Sequence, residues 1–488
     1  MSRVPPWIFV VALAAALAAA MSGGGLHRFQ GSDSIVPVLV SLQRWAPFYW
    51  QQDRFGMLVP LIVMPLRNPL LNLAAQGWIM ATAALLAPFL VARLLLHDVD
   101  VTRAGAPPAA TGTITTSADA LQHDWIAAGA LADMLLLLLV DDFIRFDWLV
   151  VQPYALSVSL AAVGLIAADR PGLTARPAAV VLMLLAHWVN VGIVVLAVPL
   201  AVLRRRSRIA SLAVTGFAAA GGIALTRLSP YHTTTALLPP AMWPHAWIEL
   251  LIRAQQVFPN RSALVVTAAG AGAAAIALIR SGRRNRRDRC RVAAAALALC
   301  VAMVYWLVAG TSRWVQLNIF LPRYIYSSLL MCGVAAGCIG AGVLRAVRSV
   351  FVPAALALCA LTLFDYGVPS GRRLAAVVDA RLGALTPDIV SSGATVVGGN
   401  YWTVWPAVFH ANLRLYRSRG PAVYGFTYRS APTDNLWKGR ADIVLAAAAG
   451  DATIVVQARR AGLTISRIRR YGTIDLYAVR TATPEAIK

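Results

Sequence analysis

About ten apolar blocks punctuate this 488-residue chain, at roughly 7–22, 69–92, 126–140, 149–168, 178–203, 209–226, 261–279, 292–309, 323–344 and 349–366. A helix must run for about 20 residues to cross some 30 Å of hydrocarbon. Most of these blocks reach that length, so the chain reads as a polytopic α-helical membrane protein. With 59% of residues apolar and only 13% charged, disorder and a small disulfide scaffold are excluded as well.

The net charge is +23, and 42 of the 44 basic residues are arginine, because Lys438 and Lys488 are the only lysines. A nucleic-acid partner is not implied. Many arginines stand in short clusters beside apolar blocks, where cytoplasmic loops carry their positive charge. Three such clusters are Arg204, Arg205, Arg206 and Arg208; Arg280, Arg283, Arg284, Arg286, Arg287, Arg289 and Arg291; and Arg345 and Arg348. The five cysteines lie in or beside apolar segments, none at metal or redox spacing.

Block 178–203 has arginines on both flanks and is interrupted at His187, Trp188, Asn190 and Gly192. Two short helices meeting within the membrane satisfy both flanks. The count becomes about 11 helical passes, with the N-terminus cytoplasmic and the C-terminus outside. The extracytoplasmic pieces are then 23–56, 141–148, 227–260, 310–322 and the tail. A transmembrane module over 1–366, with its first outer loop at 23–56, would precede an extracytoplasmic α/β domain over 367–488. Strands are expected near 394–398, 421–427 and 441–447, with a closing pair at 463–469 and 473–480.

The first outer loop carries Asp33 soon after the first span and Asp53-Arg54 before the next apolar stretch. Between them Ile35, Leu39, Leu42, Trp45 and Phe48 have the spacing of an amphipathic helix lying on the membrane surface. The blander account makes Asp33 a helix cap and Asp53-Arg54 a solvated pair. The second outer loop offers Asp141, Asp142, Arg145 and Asp147. Adjacent carboxylates at Asp141 and Asp142 could hold a divalent cation, the one cofactor the residues leave open. The third joins aromatic residues to His245 and Glu249, candidate substrate contacts.

Several stretches resemble the GT-C superfamily of polytopic glycosyltransferases. WQQDRFGMLVPL at 50–61 looks like an aromatic-x-Q-D-R-x-G-x-x-x-P pattern of bacterial members. LPRYIYSS at 321–328 is similar to the Arg-Tyr opening of a late span, and NYWTVWPAVFHANLRLY at 400–416 resembles the start of their C-terminal domain. The resemblance implies a GT-C-like fold in the bacterial inner membrane. It also implies a polyprenyl-phosphate-linked sugar donor, an extracytoplasmic acceptor (lipid, glycan or protein) and inverting transfer.

Such a reaction needs a carboxylate to take a proton and arginine to bind phosphate. By the resemblance Asp33 would be the general base, Asp53 would orient Arg54, and Arg54, Arg323 and Tyr324 would meet the donor phosphate. Asp141 or Asp142 would be a second acidic site, and Tyr401 and Trp402 would contact substrate or dock the tail. The rivals are a polytopic transporter or lipid flippase, favoured by the broken block, and a noncatalytic envelope-assembly scaffold.

Overall fold

The computed structural model describes residues 5–28, 31–101, 124–170, 172–204, 207–232, 236–282, 286–343, 359, 360, 362–364, 366–438, 440 and 443–481. The Gly/Pro/Thr-rich connection at 102–123 and most of the expected span 349–366 lie outside them. The chain is mostly helical with a small C-terminal sheet, and it divides into two compact units. The first comprises Met1–Met21, Trp78–Leu228 and His232–Gly367; the second comprises Ser22–Gly77, Ser229–Tyr231 and Val368–Lys488. The segment 23–56, expected to belong with the transmembrane module, therefore packs in one unit with the tail.

Among the described residues five helices are long and apolar enough to span a bilayer: Pro69–His97, Arg208–Thr226, Arg261–Arg280, Asp288–Thr311 and Pro322–Gly342. Two bent pairs raise the number to seven. One is the interrupted block, in which Ala175–Val189 and Val191–Leu203 meet at 119°. Asn190 makes the break with extended backbone, and its side-chain oxygen accepts from the Gly192 amide at 3.1 Å. His187 satisfies its Nδ1 against the Met183 carbonyl at 2.8 Å. The other pair, Asp142–Val151 with Tyr154–Ala168, bends by 53° just before and after Gln152-Pro153. The sequence reading takes 149–168 as one uninterrupted block, although Gln152-Pro153 stands inside it.

Small residues set the closest approach in the first unit. Gly333 and Gly337 repeat at four-residue spacing on Tyr326–Val343, opposite Ala128 and Ala132 of Asp124–Leu139. A Cβ at Gly337 would run into the Ala128 carbonyl, whereas one at Gly333 would sit 3.7 Å from Ala132. Such small-residue stripes let helix backbones touch where lipid supplies no hydrophobic drive. Gly337→Val is expected to lower stability by about 1–3 kcal/mol through overpacking, and Gly333→Ala by much less. Thermal unfolding of the two purified variants separates these costs.

Two arginines counted with the loop clusters are internal. Arg204 is 2% exposed and pairs with Asp169, while Arg291 is fully buried between Asp124 and Asp288. Each has a carboxylate at a neighbouring helix end, which charge counting along the chain cannot see.

In the second unit five strands form one mixed sheet in the order β2-β1-β3-β5-β4. They are β1 Val396–Gly398, β2 Tyr424–Phe426, β3 Leu445–Ala448, β4 Leu463–Tyr471 and β5 Ile474–Thr481. β1 is parallel to both β2 and β3, and β5 runs antiparallel to β3 and β4. The core on one face gathers Val396, Phe426, Trp437, Leu445, Ile454 and Tyr477. The helix Tyr401–Ser418 follows β1, capped by Asn400.

The helix Ser32–Leu42 packs against Tyr401–Ser418, and Ile35, Val36, Val38, Leu39 and Val40 are all fully buried. The expected amphipathic surface helix is thus a buried helix ending at Leu42. Its apolar residues surround the axis rather than forming one stripe, so burial on several sides wins over a bilayer surface.

His410 is buried in the same unit, its Nδ1 and Nε2 each 2.8 Å from Thr386 Oγ1 and Asp379 Oδ1. Burial pulls the imidazole below its usual value, opposed by Asp379 and reinforced by Arg414 and Arg417. The folded state then binds fewer protons than the unfolded one near pH 6.5, so stability rises with pH there. This contribution is complete at about pH 7.5, starts to fall as the unfolded chain protonates near pH 6.5, and is lost as pH falls further through the lowered folded-state value. Thermal unfolding across that range should show the loss in wild type and a flatter dependence in His410→Gln.

Candidate active site

The first turn of Ser32–Leu42 carries Asp33, a position that favours a carboxylate beside the helix N-terminus. Gly31 opens this helix in extended backbone, and Ser34 bonds back to Gly31 to fix the turn. Asp33 Oδ1 accepts a hydrogen bond from the Tyr401 phenol at 2.7 Å. The Ser32 hydroxyl donates to the Tyr401 carbonyl at 2.8 Å, so two contacts hold these helix starts in register.

Tyr401 follows β1 directly. Strand order places β1 between β2 and β3, and the chain leaves β1 first for β2 and then returns past it to β3. The carboxyl end of such a strand is where open α/β sheets form crevices for ligands. Gly399, at φ 127°, turns the chain there, and a Cβ on it would strike the Asp451 carboxylate. That carboxylate accepts from the Asn400 amide at 2.8 Å.

The Tyr401 oxygen also lies 2.7 Å from the Tyr49 hydroxyl. Because the Tyr401 proton goes to Asp33, Tyr49 must be the donor in this second bond. Burial, with the neighbouring Tyr49 and Asp33, pushes the Tyr401 phenol well above its ordinary value. Tyr49 is raised by burial and Asp33 in the same direction. Both phenols therefore keep their protons at neutral pH, and the chain of donors runs Tyr49 to Tyr401 to Asp33.

Arg429, just beyond β2, completes the cluster. Its guanidinium lies 5.4 Å from the ring centre of Tyr49, 5.6 Å from Tyr401 and 5.1 Å from Tyr428. One N–H donates to the Trp50 carbonyl at 3.2 Å. Three aromatic faces and a carbonyl replace part of the water that the charge gives up. Neither Arg429 nor Tyr49 is singled out by the sequence reading. The available signal was the placement of Tyr428-Arg429 immediately after a strand parallel to the one that precedes Tyr401.

The loop between Leu42 and Leu58 holds Asp53, which is buried, and Arg54, whose Nε donates to Gln52 Oε1 at 3.1 Å. Gln51 and Phe55 adopt positive φ of 58° and 60°, and the Arg54 guanidinium lies 4.6 Å from the Phe55 ring centre. The second unit thus contains Asp33, Asp53, Arg54, Tyr401 and Trp402, and it joins Asp33 to Tyr401 directly. Trp405 is buried against Trp50 of the same unit, with ring centres 5.4 Å apart.

The remaining candidates belong to the first unit. Asp141 caps the short helix Asp142–Phe146, accepting from the Phe143 and Ile144 amides at 2.9 and 3.3 Å. Asp142 pairs with Arg145, which stands 5.2 Å from the Tyr366 ring centre. These residues line a cavity of about 490 Å³ with Met134, Leu137 and Phe364. Tyr324 accepts from Trp314 Nε1 at 2.9 Å, and the Arg323 guanidinium lies 6.0 Å from the Tyr324 ring centre. His245 is exposed, while Glu249 accepts from Arg253 Nε at 3.1 Å one helical turn away. Among the described residues no three His, Cys, Asp or Glu side chains gather into a metal-binding group.

Comparison of the chain with models of known families, with curated proteins and with solved structures finds no match in any of the three.

Proposed function

We propose that this chain is a GT-C-type membrane glycosyltransferase, moving a sugar from a polyprenyl-phosphate donor to an extracytoplasmic acceptor. The observation that carries the proposal is the 2.7 Å contact between the Tyr401 phenol and Asp33 Oδ1 at the carboxyl edge of the tail's parallel strands. The Tyr401 phenol holds the Asp33 carboxylate in place, and that carboxylate is the proposed proton acceptor. In the proposed step the acceptor hydroxyl oxygen attacks the anomeric carbon and its proton passes to Asp33. The bond from that carbon to the phosphate oxygen breaks, and polyprenyl phosphate leaves with the electron pair. Arg54 is the proposed phosphate partner, offering a planar fork of donors. The proposed membrane is the bacterial inner membrane, with about 11 passes and the tail outside.

The test is transfer of radiolabelled sugar by membranes that contain the chain, compared with membranes that lack it. Label should move from a polyprenyl-phosphate donor and not from a nucleotide sugar. Label moving only from the nucleotide sugar would overturn the donor assignment. The two bent helix pairs favour a second reading, a transporter or flippase, since broken helices line substrate paths in such proteins. Translocation of a labelled lipid-linked sugar by vesicles containing the chain, without transfer, would support that reading instead.

A further inference from the structure

The acceptor class is left open by the chemistry of the base, but the surface around Tyr401 is not neutral on the point. Tyr401 is buried, while the aromatic residues on its two flanks face solvent: Trp402 is 60% exposed and Tyr428 47% exposed. The Trp402 ring stands at 87° to Tyr401 with centres 5.0 Å apart. The Tyr428 ring tilts 39° from it at 5.2 Å, with the Arg429 guanidinium near its ring. Two open aromatic surfaces therefore border the phenol that donates to the proposed base.

We infer that the acceptor is a saccharide, held by stacking on Trp402 and Tyr428 so that one hydroxyl faces Asp33. A sugar ring presents a face of C–H groups, weakly positive, to the negative face of an aromatic ring. Its hydroxyl rim meanwhile offers the donor that a carboxylate accepts. A lipid acceptor would instead need a long apolar channel at this edge. The flanks of Tyr401 carry separate aromatic surfaces with polar neighbours, Asn400 before Tyr401 and Arg429 after Tyr428. This inference rests on the transferase proposal for the role of Asp33, while saccharide binding is measurable without any donor.

The experiment uses the full chain in lipid nanodiscs with three fluorescent hexasaccharides, built of mannose, glucose and arabinose units. Saturable binding of at least one is expected. Trp402→Ala and Tyr428→Ala should each weaken it about tenfold, and Trp402→Phe should keep most of it. Trp402→Ala, at an exposed side chain, should melt with the wild type, whereas Tyr428→Ala also removes one ring beside Arg429, so its binding is read together with its melting point. Binding of none of the three, or binding unchanged in both alanine variants, would overturn the inference. Transfer of label to a lipid or protein acceptor without saccharide binding would overturn it while leaving the transferase proposal intact. Saccharide binding without transfer would uphold the saccharide site, count against that proposal and so overturn the acceptor role.

Discussion

Replacing Arg291 by alanine should cost the first unit about 3–5 kcal/mol, the price of stranding buried charge. Arg291 has no exposed side-chain surface and bonds Asp124 at 2.9 Å and Asp288 at 2.8 Å. These contacts tie the start of Asp124–Leu139 to the start of Arg286–Thr311. Without the guanidinium, two carboxylates that are 9% and 10% exposed would remain without this shared cation. Arg291→Lys should recover only part of the loss, because one ammonium lacks the planar fork that reaches both acids. Unfolding of the detergent-purified variants, followed by tryptophan fluorescence, measures the effect. A melting point for Arg291→Ala equal to that of wild type would refute the assignment.

The second large effect follows from the transferase proposal and concerns Asp33 with Tyr401. Loss of a general base typically costs 10²–10⁴-fold in rate, so Asp33→Asn should remove nearly all transfer. Tyr401→Phe keeps the ring packing but removes the donor, and about a tenfold loss is expected for one charge-assisted hydrogen bond. If the two side chains act as a unit, the double variant should be no worse than Asp33→Asn alone. Independent, multiplying losses would show that Tyr401 contributes through some other contact.

Much of the architecture was legible because it rests on periodicity and block length. The apolar blocks at 209–226, 261–279 and 292–309 reappear as helices Arg208–Thr226, Arg261–Gly282 and Arg286–Thr311. The tail strands fall where short β-rich runs stand between turn residues. The break at Asn190 was readable because polar residues interrupt an apolar run flanked by arginine. The bend at Gln152-Pro153 was not, since its neighbours Trp148, Leu149, Val150 and Val151 preserve the apolar signal.

The site was legible only in part, for a reason of sequence distance. Asp33 stood out as an acid near a membrane boundary, and Tyr401 as an aromatic at a helix start. Their hydrogen bond joins positions 368 residues apart, which no local pattern encodes. Arg429 and Tyr49 were hidden for the same reason, since one is an arginine among many and the other an aromatic among several. The reading of 35–48 as a surface helix failed because Ile35, Val36, Val38, Leu39 and Val40 are buried within the fold, on a helix that packs against the tail helix and against Leu58–Val63.

The most direct measurement is transfer of radiolabelled sugar from polyprenyl-phosphate donors in membranes expressing wild type or Asp33→Asn, with protein levels matched. The account predicts label reaching an acceptor with wild type and at most about a hundredth of that rate with Asp33→Asn. Equal transfer by the two proteins would contradict it and move the base away from the Asp33–Tyr401 pair.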